Sequence, residues 1–543
     1  MVPSIGLVVV FLASVVFAAR MWSSVLHFDP AFAFSHQAIP TGAPLSQGVT
    51  LLLVDGLRLD ASRRMPTLNA LRVRGAAIDA VVGTPSFSRP GRATIAVGAP
   101  PAIHGVTTNR QKRVIPLDNV IRRVGAAGGT CRIAGSKIWS GLFAEDIGRC
   151  GVYLEGEGKE GPGMFVQQVP ALRAAQEKGI AFVLAQPAML RIADIISTDY
   201  AAHEYGGASP EYQDELQRVD GLIASIESRL DLTRETFVIT ADHGHRDQGG
   251  HGGEEAEVLA IPIVMVGAGI RPAVTIDAHQ ADVAPTLAAL LGIALPTASS
   301  GRPIEAVLLA DDSKLAMIKG ASAMQQEAFE TAIDGRLGGV GVHGGSSAWG
   351  DLMFAFRHDL KRTREMVAAF VLVSMVGFLV VALKTAGPDA RGLMAGVTGL
   401  VLALVAGVAA RIPTMSFSAI NYDEMLLPFF VRVMVLAAVT ALASITGALL
   451  AGRFLSKTPD VTPVGAAGAI GLGLATALAA PLIMSWAWNL LLHPIVLPGP
   501  GPLVAAYALT LSIISVSLTT LIVVTVLFTV ERGRSQPEFQ NPA

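Results

Sequence analysis

Short apolar runs rich in β-branched residues recur through the middle of the chain, at 49–54, 131–134, 180–185, 236–240 and 261–266. Each has the length and composition of a buried strand. Longer segments of helical character lie between them, at 66–75, 118–126, 210–230 and 282–291. Within the third of these, Leu216, Val219, Ile223, Ile226 and Leu230 recur at helical spacing and mark one buried face. Strands alternating with helices predict an α/β domain over residues 45–305, a mostly parallel sheet sandwiched by helices. No internal repeat is visible.

The pattern changes on either side of that domain. Residues 3–19 carry no charge, and the first 20 residues predict an N-terminal membrane anchor helix. A cleaved signal peptide is the alternative, since the stretch ends in Val-Phe-Ala-Ala, although the basic start of such a peptide is missing. Residues 306–364 run from helical and charged to Gly/Ser-rich to basic, the character of a connector. Five apolar segments follow at 366–383, 392–410, 429–451, 464–486 and 503–530. Each reaches about the 18 residues that a membrane span needs, which predicts an all-α transmembrane domain over 365–531 and a tail at 532–543. Lys384, Arg391, Arg453, Lys457, Arg532 and Arg534 outnumber Asp389, Asp460 and Glu538 in the two loops and the tail that share one side. The positive-inside rule then places the tail in the cytoplasm and the α/β domain across the membrane. Lys361, Arg362 and Arg364 oppose this, but they adjoin a large translocated domain, where the rule is weaker.

Composition agrees with a membrane protein. The 543 residues are 51% hydrophobic and only 15% charged, against about a quarter in soluble domains. The net charge of −2 leaves no basic field for nucleic acid. Two cysteines, Cys131 and Cys150, exclude a disulfide scaffold and a Cys-rich metal site. Outside the cytoplasm a bridge between them would add about 3 kcal/mol by chain entropy, and two buried thiols are the equal alternative.

The chemistry-bearing residues fall in three clusters. The first is the 49–54 strand ending in Asp55, where open α/β sheets place their ligands, although a turn or cap aspartate is equally ordinary. The second is Asp199 and His203, four apart and so on one helix face, able to grip one ion. In the third, the 236–240 strand runs into Asp242-His243-Gly244, and a Gly-flanked His251 follows. Glycines there let backbone crowd around a site. His245 is either a further ligand or simply exposed. Three aspartates and three histidines suit a pair of borderline-soft ions such as zinc. Between the first two clusters, Pro90 favours a helix start and puts Ser88 near its N-terminus, where a phosphate or an alkoxide is stabilised. A metal-held Ser88 would be an activated nucleophile, and a helix cap is the alternative.

VDGLR, SRPGRATIAVG, DxxxH, ADHG and GGHGG stand in the order found in the alkaline phosphatase superfamily. They resemble its type I phosphodiesterase/nucleotide pyrophosphatase and glycosylphosphatidylinositol ethanolamine phosphate transferase branches, over roughly residues 48–305. Residues 282–293 resemble a late helix of the second branch. The resemblance implies an alkaline-phosphatase-like fold and two zinc ions, one on Asp55, Asp242 and His243, the other on Asp199, His203 and His251. It implies in-line attack by Ser88 on phosphorus, a covalent phospho-serine and release to water or an acceptor hydroxyl. Arg92 would hold a substrate anion. The expected partner is a phosphodiester or phospholipid-type substrate, in contact with membrane lipid. Eukaryotic members carry many more spans, so their glycolipid substrate is not carried over. The absence of an Asn-x-Ser/Thr sequon favours a bacterial inner membrane with a periplasmic domain. Two rival readings remain. Ser88-x-Pro-x-Arg92 also fits a sulfatase, with formylglycine and one calcium, but the single Asp55 at the strand end and the complete second ligand set count against it. An inactive membrane scaffold is the other.

Overall fold

The computed structural model describes residues 34–111, 113–155, 164–337 and 500–534, with single residues elsewhere. The chain divides into two units, Val25–Phe354 with Ser416–Tyr422, and Met1–Ser24 with Ala355–Met415 and Asp423–Ala543.

The first unit is built on an eight-stranded sheet in the order β4-β3-β5-β1-β6-β7-β2-β8. The strands are β1 Val49–Val54, β2 Ala76–Val81, β3 Cys131–Ser136, β4 Gly151–Glu155, β5 Leu190–Ile195, β6 Thr236–Thr240, β7 Ala260–Gly267 and β8 Val274–His279. Only β7 runs antiparallel to its neighbours, β6 and β2, and every other pairing is parallel. The sheet is covered by α1 Pro66–Arg74, α2 Ser88–Val97, α3 Val120–Ala126, α4 Ile138–Ile147, α5 Met164–Leu184, α6 Ser197–Tyr205, α7 Pro210–Glu227 and α8 Val283–Leu291, among others. A further long helix, α9, spans Asp312–Leu337. Helices on both faces explain why β1, β5 and β6 are buried at every position. On α7, Leu216, Val219, Ile223 and Ile226 are buried, as their spacing predicts.

The α/β class is as expected, and four of the five expected strands form. The exception is 180–185, whose first residues close α5 instead. The helix buries Val169, Leu172, Gln176, Ile180 and Val183, a phase set upstream of the apolar run. β5, absent from the expectation, supplies the strand in its place. Its Arg191 and Asp194 interrupt the apolar pattern, yet both are buried and paired, Arg191 with Glu235 at 2.9 Å and Asp194 with Arg92 at 2.8 Å. Cys131 and Cys150 form a disulfide that ties the start of β3 to the residue before β4.

β1 lies between β5 and β6, with Val54 level with Ile195 and Leu53 level with Thr240. The carboxyl ends of three adjacent parallel strands therefore open side by side, where α/β sheets gather ligands. In the second unit one helix among the described residues, α10 Pro500–Arg534, is long and apolar enough to cross a membrane, with a mean hydropathy of 2.5 over Thr510–Val530. The N-terminal anchor, the Gly/Ser connector and the other four expected spans fall outside the described stretches.

Candidate metal centre

Asp55, Asp242, His243 and Asp199 stand one to four residues beyond a strand end. Asp55 follows β1, Asp242 and His243 follow β6, and Asp199 and His203 lie on α6, which begins two residues after β5. Thr198 Oγ1 donates to the Asp55 carbonyl, fastening α6 to the end of β1. Gly56, at φ +72°, makes the left-handed turn after Asp55, and Tyr212 Oη holds it by donating to the Gly56 carbonyl at 2.8 Å. α2 runs directly over the end of β6, and a Cβ at Gly91 would come within 2.7 Å of the Asp242 Cβ. This close approach puts Ser88, the first residue of α2, at the centre. Ser88 does not cap the helix, which has no side-chain cap. Its Oγ instead lies 3.1 Å from His243 Nε2.

Two donor sets result. His243 Nε2 is 3.3 Å from Asp55 Oδ1 and 3.6 Å from Asp242 Oδ2. His203 Nε2 is 3.1 Å from His251 Nε2 and 3.4 Å from Asp199 Oδ1, and His251 Nε2 is 3.6 Å from the same oxygen. Bonds of about 2.0–2.1 Å in a tetrahedron separate ligand atoms by about 3.3 Å, so each set has the spacing of donors that share one small divalent ion. The hydrogen bonds behind the rings agree. His243 Nδ1 and His251 Nδ1 are 3.0 Å from the carbonyls of Gly244 and Ser86, so each places its N–H there and turns a bare Nε2 inward. Asp55 Oδ1 is buried with no hydrogen-bond partner, an orphan that a cation would satisfy. By proximity alone, Asp199, His243, His245 and His251 form one buried cluster and Asp55, Asp242 and His243 another.

Electrostatics points the same way. Burial raises the Asp55 carboxyl well above its usual range, against the pull of Arg92, and burial also raises Asp242. Burial opposes the charge on Asp199 too, but the imidazoles of His203, His245 and His251 hold its carboxyl well below the usual range. Burial pushes the His243 and His245 imidazoles down to about 3, so both are neutral near pH 7, the form that binds metal.

Arg92 is placed otherwise than expected. It is fully buried, and its guanidinium meets Asp55 Oδ2 at 2.7 Å, Asp194 Oδ1 at 2.8 Å and Asp242 Oδ2 at 2.5 Å. Those bonds leave no face open to a substrate anion, so Arg92 braces the carboxylates from below. The reason is its position on the inner side of α2, which is buried from Pro90 to Val97. Sequence reasoning missed Asp194, which binds Arg92 through both oxygens and accepts from Trp139 Nε1 at 3.2 Å. Its place near the end of β5 was the available signal. His245, left open between ligand and surface residue, is fully buried, with Nε2 2.6 Å from Asp199 Oδ1.

Residues 49–140 and 167–255 match the family model of type I phosphodiesterase / nucleotide pyrophosphatase. Both donor sets, Ser88 and Arg92 lie inside the matched segments. Over those segments this domain is similar to that family. Curated relatives include the human GPI ethanolamine phosphate transferase 2 catalytic subunit, 26% identical over 293 residues that cover 50% of this chain and 29% of the relative. GPI ethanolamine phosphate transferase 1 of Emericella nidulans is 30% identical over 165 residues, 25% of this chain and 17% of its own. The chain thus spans less than a third of the length of these relatives. Among solved structures, murine ectonucleotide pyrophosphatase / phosphodiesterase 5 aligns with all of its own chain and 49% of this one, at a TM-score of 0.41 and 14% identity.

Proposed function

We propose that the chain is a membrane-anchored two-zinc phosphodiesterase or phosphoethanolamine-type transferase, acting through a covalent phospho-serine on an envelope or lipid-linked substrate. The observation that carries this reading is the Ser88 hydroxyl, 3.1 Å from an inward-facing histidine nitrogen and beside two donor sets of metal-ligand spacing. Two divalent ions, when bound, lower the proton affinity of the serine oxygen and neutralise charge on the phosphoryl oxygens. Asp55, Asp242 and His243 would hold one, and Asp199, His203 and His251 the other. Sets that mix imidazole nitrogen with carboxylate oxygen suit zinc and fit less well with calcium, which takes oxygens alone.

The chain's own residues do the rest. α2 presents Ser88 Oγ for in-line attack on phosphorus; the hydroxyl gives its proton to solvent, the new Oγ–P bond forms as the bond to the leaving oxygen breaks, and the leaving alkoxide takes a proton from solvent. Water or an acceptor hydroxyl then attacks the same phosphorus, gives up its proton, and releases Ser88. Arg92 and Asp194 keep Asp55 and Asp242 fixed throughout, so little reorganisation accompanies the charge shift. The names of the relatives favour transfer of phosphoethanolamine over hydrolysis. On the loop charges, the domain faces away from the cytoplasm, at a bacterial inner membrane.

The test is activity of the detergent-purified, zinc-loaded full chain on phosphodiesters, phosphomonoesters and sulfate esters, with and without an acceptor alcohol. Turnover of phosphodiesters is expected. Turnover of sulfate esters alone, with a wild-type mass lower by about two hydrogens, would replace this reading with the serine-type sulfatase.

A further inference from the structure

His245 stands outside the two ligand sets that the resemblance implies, though near Asp199, His243 and His251, and its ring is packed between Asp199 and the turn after Asp55. Nε2 lies 2.6 Å from Asp199 Oδ1. On its other side the ring lies against the turn that follows Asp55: a Cβ on Gly56 would stand 2.8 Å from His245 Cδ2 and 2.9 Å from Nε2. Behind it, a Cβ on Gly207 would stand 2.9 Å from His245 Cβ. The His203 ring meets it edge-on, with centroids 4.7 Å apart. Two glycines and a perpendicular imidazole therefore leave the ring one place to sit.

A carboxylate oxygen only accepts, so the 2.6 Å contact has His245 Nε2–H donating to Asp199. That separation is a hydrogen bond, and it is shorter than the roughly 3.3 Å between two ligands of one tetrahedral ion. Resting on the two-metal reading, we propose that His245 is a positioning residue: it fixes the Asp199 carboxylate against the Asp55–Gly56 turn and so sets the second metal site relative to the first. Outer hydrogen bonds commonly run from a metal-bound histidine to a carboxylate. In this protein the imidazole is the outer partner and the carboxylate the ligand. The consequence is specific to the second ion, because His245 has no hydrogen bond to Asp55 or Asp242, one oxygen of each of which is held by Arg92.

The experiment measures zinc affinity of the purified full chain, metal by metal, together with the visible spectrum of the cobalt-substituted protein. Wild type binds two ions. His245→Ala weakens the second by about 10–100-fold and leaves the first unchanged. His245→Gln, which keeps an N–H donor, restores the second affinity to within a few fold and gives the wild-type cobalt spectrum. Equal affinities in His245→Ala overturn the inference while leaving the two-metal reading intact. So does a cobalt spectrum changed in both variants with no rescue by glutamine, which would make His245 a ligand. A wild-type chain that binds fewer than two ions overturns the two-metal reading itself.

Discussion

Ser88 lies 3.1 Å from His243 Nε2 and makes none of the bonds of a helix cap, and substitution tests its proposed role as nucleophile. Ser88→Ala is expected to keep both zinc ions, lose covalent labelling by substrate phosphorus, and slow turnover on the order of 10³-fold or more. Ser88→Thr should retain part of the activity. Wild-type turnover of phosphodiesters by Ser88→Ala would remove the mechanism. His251→Ala, measured by metal analysis, should hold one zinc per chain with the fold intact. Arg92 calls for a different measurement. Its guanidinium offsets three buried carboxylates, so Arg92→Ala leaves uncompensated buried charge and should lower unfolding stability by about 3–5 kcal/mol in denaturant titrations. A purely raised KM with unchanged stability would return Arg92 to substrate binding. The aspartates and histidines of the two donor sets could be read because each closes a strand, shares a helical turn or, for His251, stands between glycines. Asp194 and His245 could not, because their partners, Arg92 and Asp199, are 102 and 46 positions away in the chain and meet them only when the strands are ordered.

At the scale of elements, α2, which begins at Ser88, is anchored by a relay of hydrogen bonds. His104 Nδ1 accepts from the Val106 N–H at 3.1 Å, Nε2 meets Thr94 Oγ1 at 3.1 Å, and Thr94 Oγ1 donates to the Pro90 carbonyl. Both nitrogens are engaged with the ring neutral, and burial pushes the imidazole down to about 3. The unfolded chain takes up a proton near pH 6.5 that the folded one refuses, so stability falls as pH drops from about 6.5 towards 3. A His104→Gln variant should show a shallower loss over that window by up to about 1.4 kcal/mol per pH unit, read from urea midpoints at several pH values. An unchanged pH slope would show that the ring is protonated in the fold. The disulfide acts on other elements: Cys131→Ala with Cys150→Ala should cost about 3 kcal/mol without altering metal content. Strand legibility follows the same division. β1 and β6 are uninterrupted apolar runs and were readable, whereas β5 carries Arg191 and Asp194 inward because Glu235 and Arg92 neutralise them, a pairing no local pattern contains.

The whole molecule poses the question of sides. On the proposed reading, a transferase with a lipid-linked substrate would need its site on the face where that lipid is displayed, and the loop charges predict that face. Lys384 and Arg391, Arg453 and Lys457, and Arg532 and Arg534 mark three expected cytoplasmic segments, while the loops between carry little charge. The disulfide of the α/β domain would fit an oxidising compartment on the opposite side. Both arguments predict the same outcome by independent routes. Protease added to cells whose outer membrane has been permeabilised should degrade residues 45–360 and spare an epitope placed after residue 534. Thiol labelling of the same cells after denaturation should find Cys131 and Cys150 unreactive until a reductant is added. If the domain is protected while the epitope is cleaved, the loop charges have been read backwards and the substrate lies on the cytoplasmic face. The disulfide would then have to persist against the reducing cytosol, which isolated bridges in mesophilic proteins rarely do.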